Sequence, residues 1–480
     1  MGEVSALAVT GHPLQRAGAW AVAVLAGRDD PGRVSEADLE AVSAAVVADV
    51  VAAATAPKDT SRYDWWKVLF ALYPNSKATH SKRPSDPNVL RPDIERLFAP
   101  DVPEAGRTLP CTFCNTGTTA VWAKSNLPLF DTSKALNTLP PGVPGWPVCR
   151  GCRTTMWALP YGAWVTAGSA TVLSCENETA QRDFARRNVR RARRVMHAGF
   201  TGMPATARPE TVVLAALRDA TEGLCATTLW TFKNDNQDPW LRVTRTRRAV
   251  PAFLATVDGN APLRRGWHLL RRSLTRYDAQ GRIVAGGAGE AARLLFEAED
   301  GRSRPLLGQL HRLLADTDDA WSIGDREALV RLAFTYAEEV FGMETDLEPV
   351  ATLIADWIEQ GTSPRGRLAE YRNAALNDYK LGTLLVHAYT RLQLDGSKTP
   401  LAGPELWKPL IRRQPRAWEQ RMLLFAQVSV LLQQRGVPIG AKEADPQQER
   451  EIEELAERPA FAGDGEDEYD GYHDYEMGQA

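Results

Sequence analysis

Four cysteines carry the most specific chemistry in this sequence. They fall in two pairs, Cys111-Thr112-Phe113-Cys114 and Cys149-Arg150-Gly151-Cys152. Two intervening residues place both sulfurs of a pair on one tight turn, and two such turns complete a tetrahedral thiolate site for zinc. The pairs are separated by 34 residues, more than in a compact zinc ribbon, so the site would close a large loop. Zinc binding to small finger peptides is worth about 10–16 kcal/mol, enough to hold such a loop. An iron–sulfur cluster and unrelated thiols are the alternatives. Four protein ligands leave no open coordination position, so the expected role of Zn2+ is structural rather than catalytic. Cys175 and Cys225 stand apart and read as small buried apolar residues.

Arginine supplies the second signal. Placed at about 100° per residue on a helix, the segment 181–197 separates into two faces. Arg182, Arg186, Arg187, Arg190, Arg191, Arg193 and Arg194 occupy one half of the wheel, and Asp183 is the only local acid. Phe184, Ala185, Val189, Ala192, Val195 and Met196 occupy the other, with Asn188 as its polar exception. Planar guanidinium groups bind two phosphate oxygens at once, so this face suits nucleic acid or another acidic partner. A solvated or salt-bridged face is the plainer alternative. Arg242, Arg245, Arg247 and Arg248 form a second cluster beside Trp230, Phe232 and Trp240, and Arg264, Arg265, Arg271 and Arg272 form a third. Cations interleaved with aromatic rings can follow a phosphate backbone and stack on bases. Core tryptophans beside merely exposed arginines would give the same pattern.

Enzyme signatures are missing from the sequence. It has no Gly-x-Ser-x-Gly, no His-Glu-x-x-His and no P-loop, and Gly286-Gly287-Ala288-Gly289 lacks the dinucleotide-binding spacing. The expectation is a protein that binds rather than catalyses, although distant residues can still meet in a site.

The elements that must position these residues indicate an α+β fold. Ser35 and Asp38 form a capping box ahead of an Ala/Val-rich helix over residues 39–54, which Pro57 stops. An aromatic block over 63–70 follows, then a turn-rich polar stretch over 73–92 that reads as a loop. Residues 138–147, with four prolines and two glycines, read as another loop. Hairpins are expected around Ala167-Gly168-Ser169 and between 227–233 and 240–246. From about Pro305 the apolar residues recur at three- and four-residue intervals, predicting helices over 306–316, 325–342, 347–359, 366–391 and 405–435. These readings divide the chain into three parts. A mixed N-terminal domain spans 1–304, with the cysteine insert at 107–160. A helical bundle spans 305–440, and an acidic tail, 441–480, is expected to be disordered.

Composition sets the limits. With 480 residues, 44% of them hydrophobic and 24% charged, the chain can bury a core and is neither collagen-like nor wholly disordered. The net charge of −3 conceals an asymmetry: residues 441–480 carry 14 acidic and 3 basic side chains, so the remainder has a net charge of +8. A basic body is compatible with a polyanion. Six cysteines are too few for a disulfide scaffold. No apolar run is long enough to span a bilayer, and the N-terminus lacks the basic start of a signal peptide. The expected location is the cytoplasm.

The order of these features resembles the large subunit of type I CRISPR effector complexes (Cascade), in the zinc-knuckle branch of type I-B systems. The residues that carry the resemblance are the two cysteine pairs, Ala158-Leu159-Pro160-Tyr161-Gly162-Ala163, the hairpin after it, and Phe184-Ala185-Arg186-Arg187-Asn188. Leu72-Tyr73-Pro74-Asn75 upstream and the C-terminal helices fit the same layout. The resemblance implies a non-catalytic subunit beside the 5′ handle of a guide RNA, together with backbone and handle-binding proteins. Such a subunit recognises a protospacer-adjacent motif in target duplex DNA, aids R-loop formation and recruits a helicase-nuclease, leaving sequence readout to base pairing. Asn75, Ser76, Lys77, Lys82 and Arg83 are the candidate motif-reading residues, because a polar loop can enter a groove. In some such systems an internal start yields a separate small subunit, for which Met343 is the candidate. The acidic tail has no counterpart in this layout. The alternative is a stand-alone zinc-dependent nucleic-acid-binding regulator.

Overall fold

A computed structural model describes residues 5–101, 108–123, 125–128, 145–204, 206–219, 224–234, 239–298, 304–315, 321–343, 346–397, 400–414, 416–439 and 445–457. The chain forms two compact units. The first comprises Met1–Ala255 and Arg271–Pro305, the second Thr256–Leu270 and Leu306–Ala480. The single boundary expected at 304/305 is therefore corrected: Thr256–Leu270 groups with the helical C-terminal unit. Within that unit, Gly266 permits the approach, since a Cβ there would lie 2.4 Å from the Ala328 carbonyl oxygen.

In chain order the first unit opens with helices α1 (Pro13–Leu25), α2 (Glu36–Ala54), α3 (Ser61–Leu72) and α4 (Pro87–Glu95). Four two-residue strands follow, β1 (Leu109–Pro110), β2 (Gly117–Thr118), β3 (Val121–Trp122) and β4 (Trp146–Pro147), leading into α5 (Arg150–Gly162). Then come β5 (Trp164–Val165), β6 (Ala170–Cys175), α6 (Glu178–Ala198), α7 (Pro209–Asp219), β7 (Thr227–Lys233) and β8 (Trp240–Arg245). Helices α8 (Val250–Gly259) and α9 (Ala261–Ser273) straddle the division, and β9 (Arg276–Tyr277), β10 (Ile283–Ala285), α10 (Gly287–Leu294) and β11 (Glu297–Ala298) complete the unit.

Helix α5 is the spine of this unit, and its sequence shows why. Gly18 of α1 and Gly162 of α5 let the two helices touch backbone to backbone: a Cβ on Gly18 would lie 2.0 Å from the Thr155 carbonyl oxygen, and one on Gly162 would lie 2.7 Å from that of Ala17. Pro160 sits inside α5 and has no N–H for the Met156 carbonyl. The buried Tyr73 hydroxyl donates to that carbonyl instead, and the Tyr73 ring stacks on Trp157 at 4.3 Å. Asn188 of α6 donates to the Gly162 carbonyl, 3.3 Å away. Tyr73, Pro160, Gly162 and Asn188, drawn from three separate sequence motifs, thus meet in one joint.

The expected capping box is present. Ser35 Oγ accepts from the Asp38 N–H and Asp38 Oδ2 accepts from the Ser35 N–H. Both expected hairpins form, within an antiparallel sheet of order β11-β8-β7-β6-β5; residues 235–238 at the tip of the second lie outside the described residues. So do 138–144 of the expected loop, whose last two residues form β4. The stretch 73–92 is not loop throughout, because Asp86 caps α4 and Pro87 opens it.

The second unit adds α11 (Pro305–Ala315), α12 (Ile323–Phe341), α13 (Glu348–Glu359), α14 (Pro364–Ala374), α15 (Asp378–Leu394), α16 (Pro404–Ile411), α17 (Ala417–Gln434) and α18 (Pro446–Glu457). Two predicted helices are each two. Asn377 accepts from the Lys380 N–H and restarts the chain as α15, and α16 ends at Ile411 before α17 begins at Ala417. Part of the expected disordered tail is also corrected, since Pro446–Glu457 is helical. Ile452 is buried there, and Glu449 pairs with Arg365 of α14 at 3.0 Å. Residues 441–444 and 458–480 lie outside the described set.

Candidate metal centre and arginine helix

The ligating atoms of Cys111, Cys114, Cys149 and Cys152 all lie within 4.8 Å of one another. A tetrahedron of Zn–S bonds near 2.3 Å requires sulfurs about 3.8 Å apart, so the cluster fits such an ion. The first pair sits on a turn in which the Cys111 N–H donates to the Thr116 carbonyl and the Asn115 N–H donates to that of Cys111. Asn115 takes φ +65° to close it, a left-handed conformation that asparagine tolerates. Pairing of Val121–Trp122 with Trp146–Pro147 and a bond from the Thr112 N–H to the Pro147 carbonyl bring this turn to the second pair. Cys149 is the N-cap of α5 and Cys152 lies in its first turn, where the helix dipole favours thiolates. The thiols conflict when they ionise without a cation. Hydrogen bonds from Cys149 and Cys152 draw Cys111 far below the ordinary thiol range. The same bonds push Cys149 up to about 12 and Cys152 higher still. A divalent cation removes that conflict.

Sequence reasoning missed the groups that brace this centre. Asp101 accepts from Arg153 (2.7 Å), from the Arg150 N–H (3.1 Å) and from Thr118 Oγ1 (3.0 Å), tying α5 to β2. Arg153, only 3% exposed, also donates to the carbonyls of Leu97 and Ala99. Arg153 directly follows Cys152, and that adjacency is the one signal that could have marked it. Gln15 Nε2 donates to Cys152 Sγ at 3.9 Å.

Helix α6 buries Phe184, Ala185, Val189, Ala192 and Val195 together with Asn188, while Met196 is half-buried. The seven arginines of its other face are not equivalent, because acids remote in sequence join the local Asp183 in pairing with some of them. Arg186 pairs with Asp29 at 2.5 Å, Arg187 with Asp219 at 2.6 Å, and Arg182 lies 3.7 Å from Asp183. Such exposed pairs are worth about 0–1 kcal/mol, so an incoming phosphate can displace them. Arg190, Arg193 and Arg194 are exposed, and the charge of Arg193 acts on the half-buried Asp49 of α2. Arg191 lies over the Trp164 ring, 3.8 Å from its centroid.

The other basic clusters are looser. Arg242, Arg245 and Arg248 are exposed, whereas Arg247 pairs with Glu297 at 3.1 Å. Of their aromatic neighbours, Phe232 is core, Trp230 is half-buried and Trp240 is exposed. Arg264 and Arg265 are spent within the second unit, on the Asp258 carbonyl and on Asp325, while Arg271 and Arg272 in the first are exposed.

The candidate motif-reading stretch needs correction at two positions. Ser76 is 1% exposed and shares a hydrogen bond with Thr79. Arg83 donates to the Ala54 carbonyl and covers the Trp66 ring, so its cation fastens the loop. Asn75 is half-buried, and Lys77 and Lys82 are exposed. Cys175 and Cys225 are buried, as expected. No helix among the described residues is long and apolar enough to cross a membrane. Comparison of the chain with family models, curated proteins and solved structures finds no match to any of them.

Proposed function

We propose that this chain is the non-catalytic large subunit of a type I CRISPR RNA-guided surveillance complex of the zinc-knuckle branch. In this reading it works in the cytoplasm with a guide RNA, backbone and handle-binding subunits and a helicase-nuclease. It recognises a short motif in duplex DNA and supports R-loop formation. The four cysteines hold a structural Zn2+. The observation that carries the reading is the arginine face of α6. Its exposed Arg190, Arg193 and Arg194 stand on a helix whose Asn188 is bolted to α5, as a phosphate-binding surface requires. The joint of Tyr73, Pro160, Gly162 and Asn188 supports it further, because it makes one structural unit of motifs on which the resemblance rests. For motif reading, Lys77, Lys82 and Asn75 remain the candidates.

The test is purification of the tagged protein from its own cells at moderate salt, with sequencing of bound RNA and identification of bound proteins. A uniform short RNA with a constant 5′ end, and a multicopy protein partner, are expected. A protein recovered alone or with heterogeneous RNA would overturn the reading in favour of a stand-alone zinc-dependent regulator. The arginine face has its own measure. Changing Arg190, Arg193 and Arg194 to Gln should reduce the logarithmic salt slope of duplex binding by up to about 2.7, at about 0.9 per phosphate contact. An unchanged slope would leave α6 a merely solvated face.

A further inference from the structure

A cavity of about 390 Å³ opens at the C-terminal end of α6, walled by Trp164, Thr166, Arg191, Phe200, Thr201 and Met203. That volume lies in the range of small-ligand sites, about 300–1,000 Å³. Its construction is specific. Gly199 ends α6 at φ +71°, a left-handed conformation that suits glycine, and turns Phe200 into the wall. Asp64 Oδ2 accepts from the Phe200 N–H at 2.9 Å, and Ser61 Oγ donates to the Met196 carbonyl at 3.1 Å, so the wall is pinned to α3.

Arg191 is the unusual member. Arg182, Arg186 and Arg187 each lie near a carboxylate, but Arg191 has none among the described residues. Its Nε is buried without a hydrogen-bond partner, and its one acceptor, the Val165 carbonyl, is 3.4 Å away. Burial lowers its pKa to about 10, which leaves it charged at neutral pH. A half-buried guanidinium whose partners are one ring face and one long carbonyl contact keeps N–H donors free for an anion. The walls around it are aromatic and apolar, with two threonine hydroxyls. Arg194 lies one turn further along α6, Arg190 lies just before Arg191, and both are exposed.

We propose that this pocket holds one unpaired nucleotide of a nucleic-acid strand, its base against Phe200 and the Trp164–Arg191 stack and its phosphate on Arg191. The strand's backbone then continues along Arg190 and Arg194. Aromatic rings and guanidinium planes are the surfaces on which proteins stack unpaired bases. A base stacked inside a duplex has no free face to offer, so the pocket favours single strands over duplex. This inference rests on the nucleic-acid-binding reading and adds the site at which a strand is held.

The test uses the full chain, a short fluorescein-labelled deoxythymidine oligonucleotide and a blunt duplex of equal length, followed by anisotropy. Arg191→Gln and, separately, Phe200→Ser should each weaken single-strand binding about tenfold. Duplex binding should stay unchanged, which also reports that each variant is folded. Arg190→Gln should weaken both probes alike. Equal loss on both probes for Arg191→Gln, or no loss on either, would overturn the pocket while leaving the nucleic-acid reading standing. Displacement of the oligonucleotide by an equal concentration of thymidine monophosphate would also overturn it, by showing a site for free nucleotides. Failure of the unaltered chain to bind either probe would overturn both readings.

Discussion

If the four cysteines hold zinc as proposed, removing it should open the cysteine insert and leave the rest of the first unit folded. The two cysteine turns are separated by 34 residues, and closing such a loop costs about 4 kcal/mol in chain entropy. A four-thiolate zinc site supplies about 10–16 kcal/mol, leaving about 6–12 kcal/mol to order the insert. Without the ion, the insert retains the burial of Trp122, Leu127 and Val148, four two-residue strands and a few single hydrogen bonds such as Thr118 to Asp101 and Trp157 to the Asn126 carbonyl. Helices α1 and α5 are held differently, through the close approaches at Gly18 and Gly162 and the Tyr73 hydroxyl, and none of these passes through sulfur. Hydrogen exchange followed by mass spectrometry, with metal content measured before and after chelation, separates the two. Amides of residues 108–123 should exchange rapidly once the ion is gone, while those of α1 and α5 stay protected. Unchanged protection over 108–123 in metal-free protein would show that the ion does not hold the loop. Collapse of α1 and α5 as well would show that the packing argument is wrong.

Three other expectations concern stability. Arg153→Met removes the cation between Asp101 and two carbonyls and should cost about 3–5 kcal/mol in urea unfolding of the first unit; a loss under about 1 kcal/mol would mean the cluster relaxes freely. Gly18→Ala places a Cβ 2.0 Å from the Thr155 oxygen, and forcing the helices apart should cost about 1–3 kcal/mol by the same assay, with no loss counting against the close-approach argument. His311 of α11 is 3% exposed, both its ring nitrogens lack partners among the described residues, and burial lowers its pKa to about 4. The unfolded chain therefore takes up a proton near pH 6.5 that the folded chain refuses, so stability falls as pH drops from about 6.5 to 4, by about 3 kcal/mol. His311→Phe should flatten urea midpoints between pH 7 and 4; an unchanged pH dependence would refute this.

What the sequence made legible was local. The capping box at Ser35, the two hairpins and the arginine helix each depend on neighbours within a few residues. The cysteine pairs were readable because two-residue spacing is itself a geometry. The failures were longer in range. Asp101 looked like any surface acid, yet it accepts from Arg153, which lies across the insert. Arg186 and Arg187 could not be discounted in advance, since Asp29 and Asp219 are far from them in the chain. Ser76 and Arg83 looked like loop donors because polarity alone does not show that Thr79 and Trp66 would claim them. The helix Pro446–Glu457 was hidden by averaging, for one buried Ile452 carries little weight in a forty-residue stretch with 14 acidic side chains.

The two candidate sites lie at opposite ends of one helix, and this makes a last prediction. The cysteine cluster takes its second pair from the N-terminus of α5, whereas Asn188 of α6 grips the Gly162 carbonyl at its C-terminus. Thirteen residues at 1.5 Å each separate those ends by about 20 Å. Between them α5 is clamped by α1 and by Tyr73, neither of which contributes a sulfur. Loss of the ion should therefore disorder the insert without shifting the arginine row. On the proposed nucleic-acid-binding function, chelated protein should bind duplex DNA with the same logarithmic salt slope as metal-loaded protein, because the slope counts phosphate contacts. The intercept should fall only as far as the insert itself touches nucleic acid. A slope reduced by two or more would show that the arginines depend on the metal, and that α5 transmits its state along its length instead of isolating the two ends.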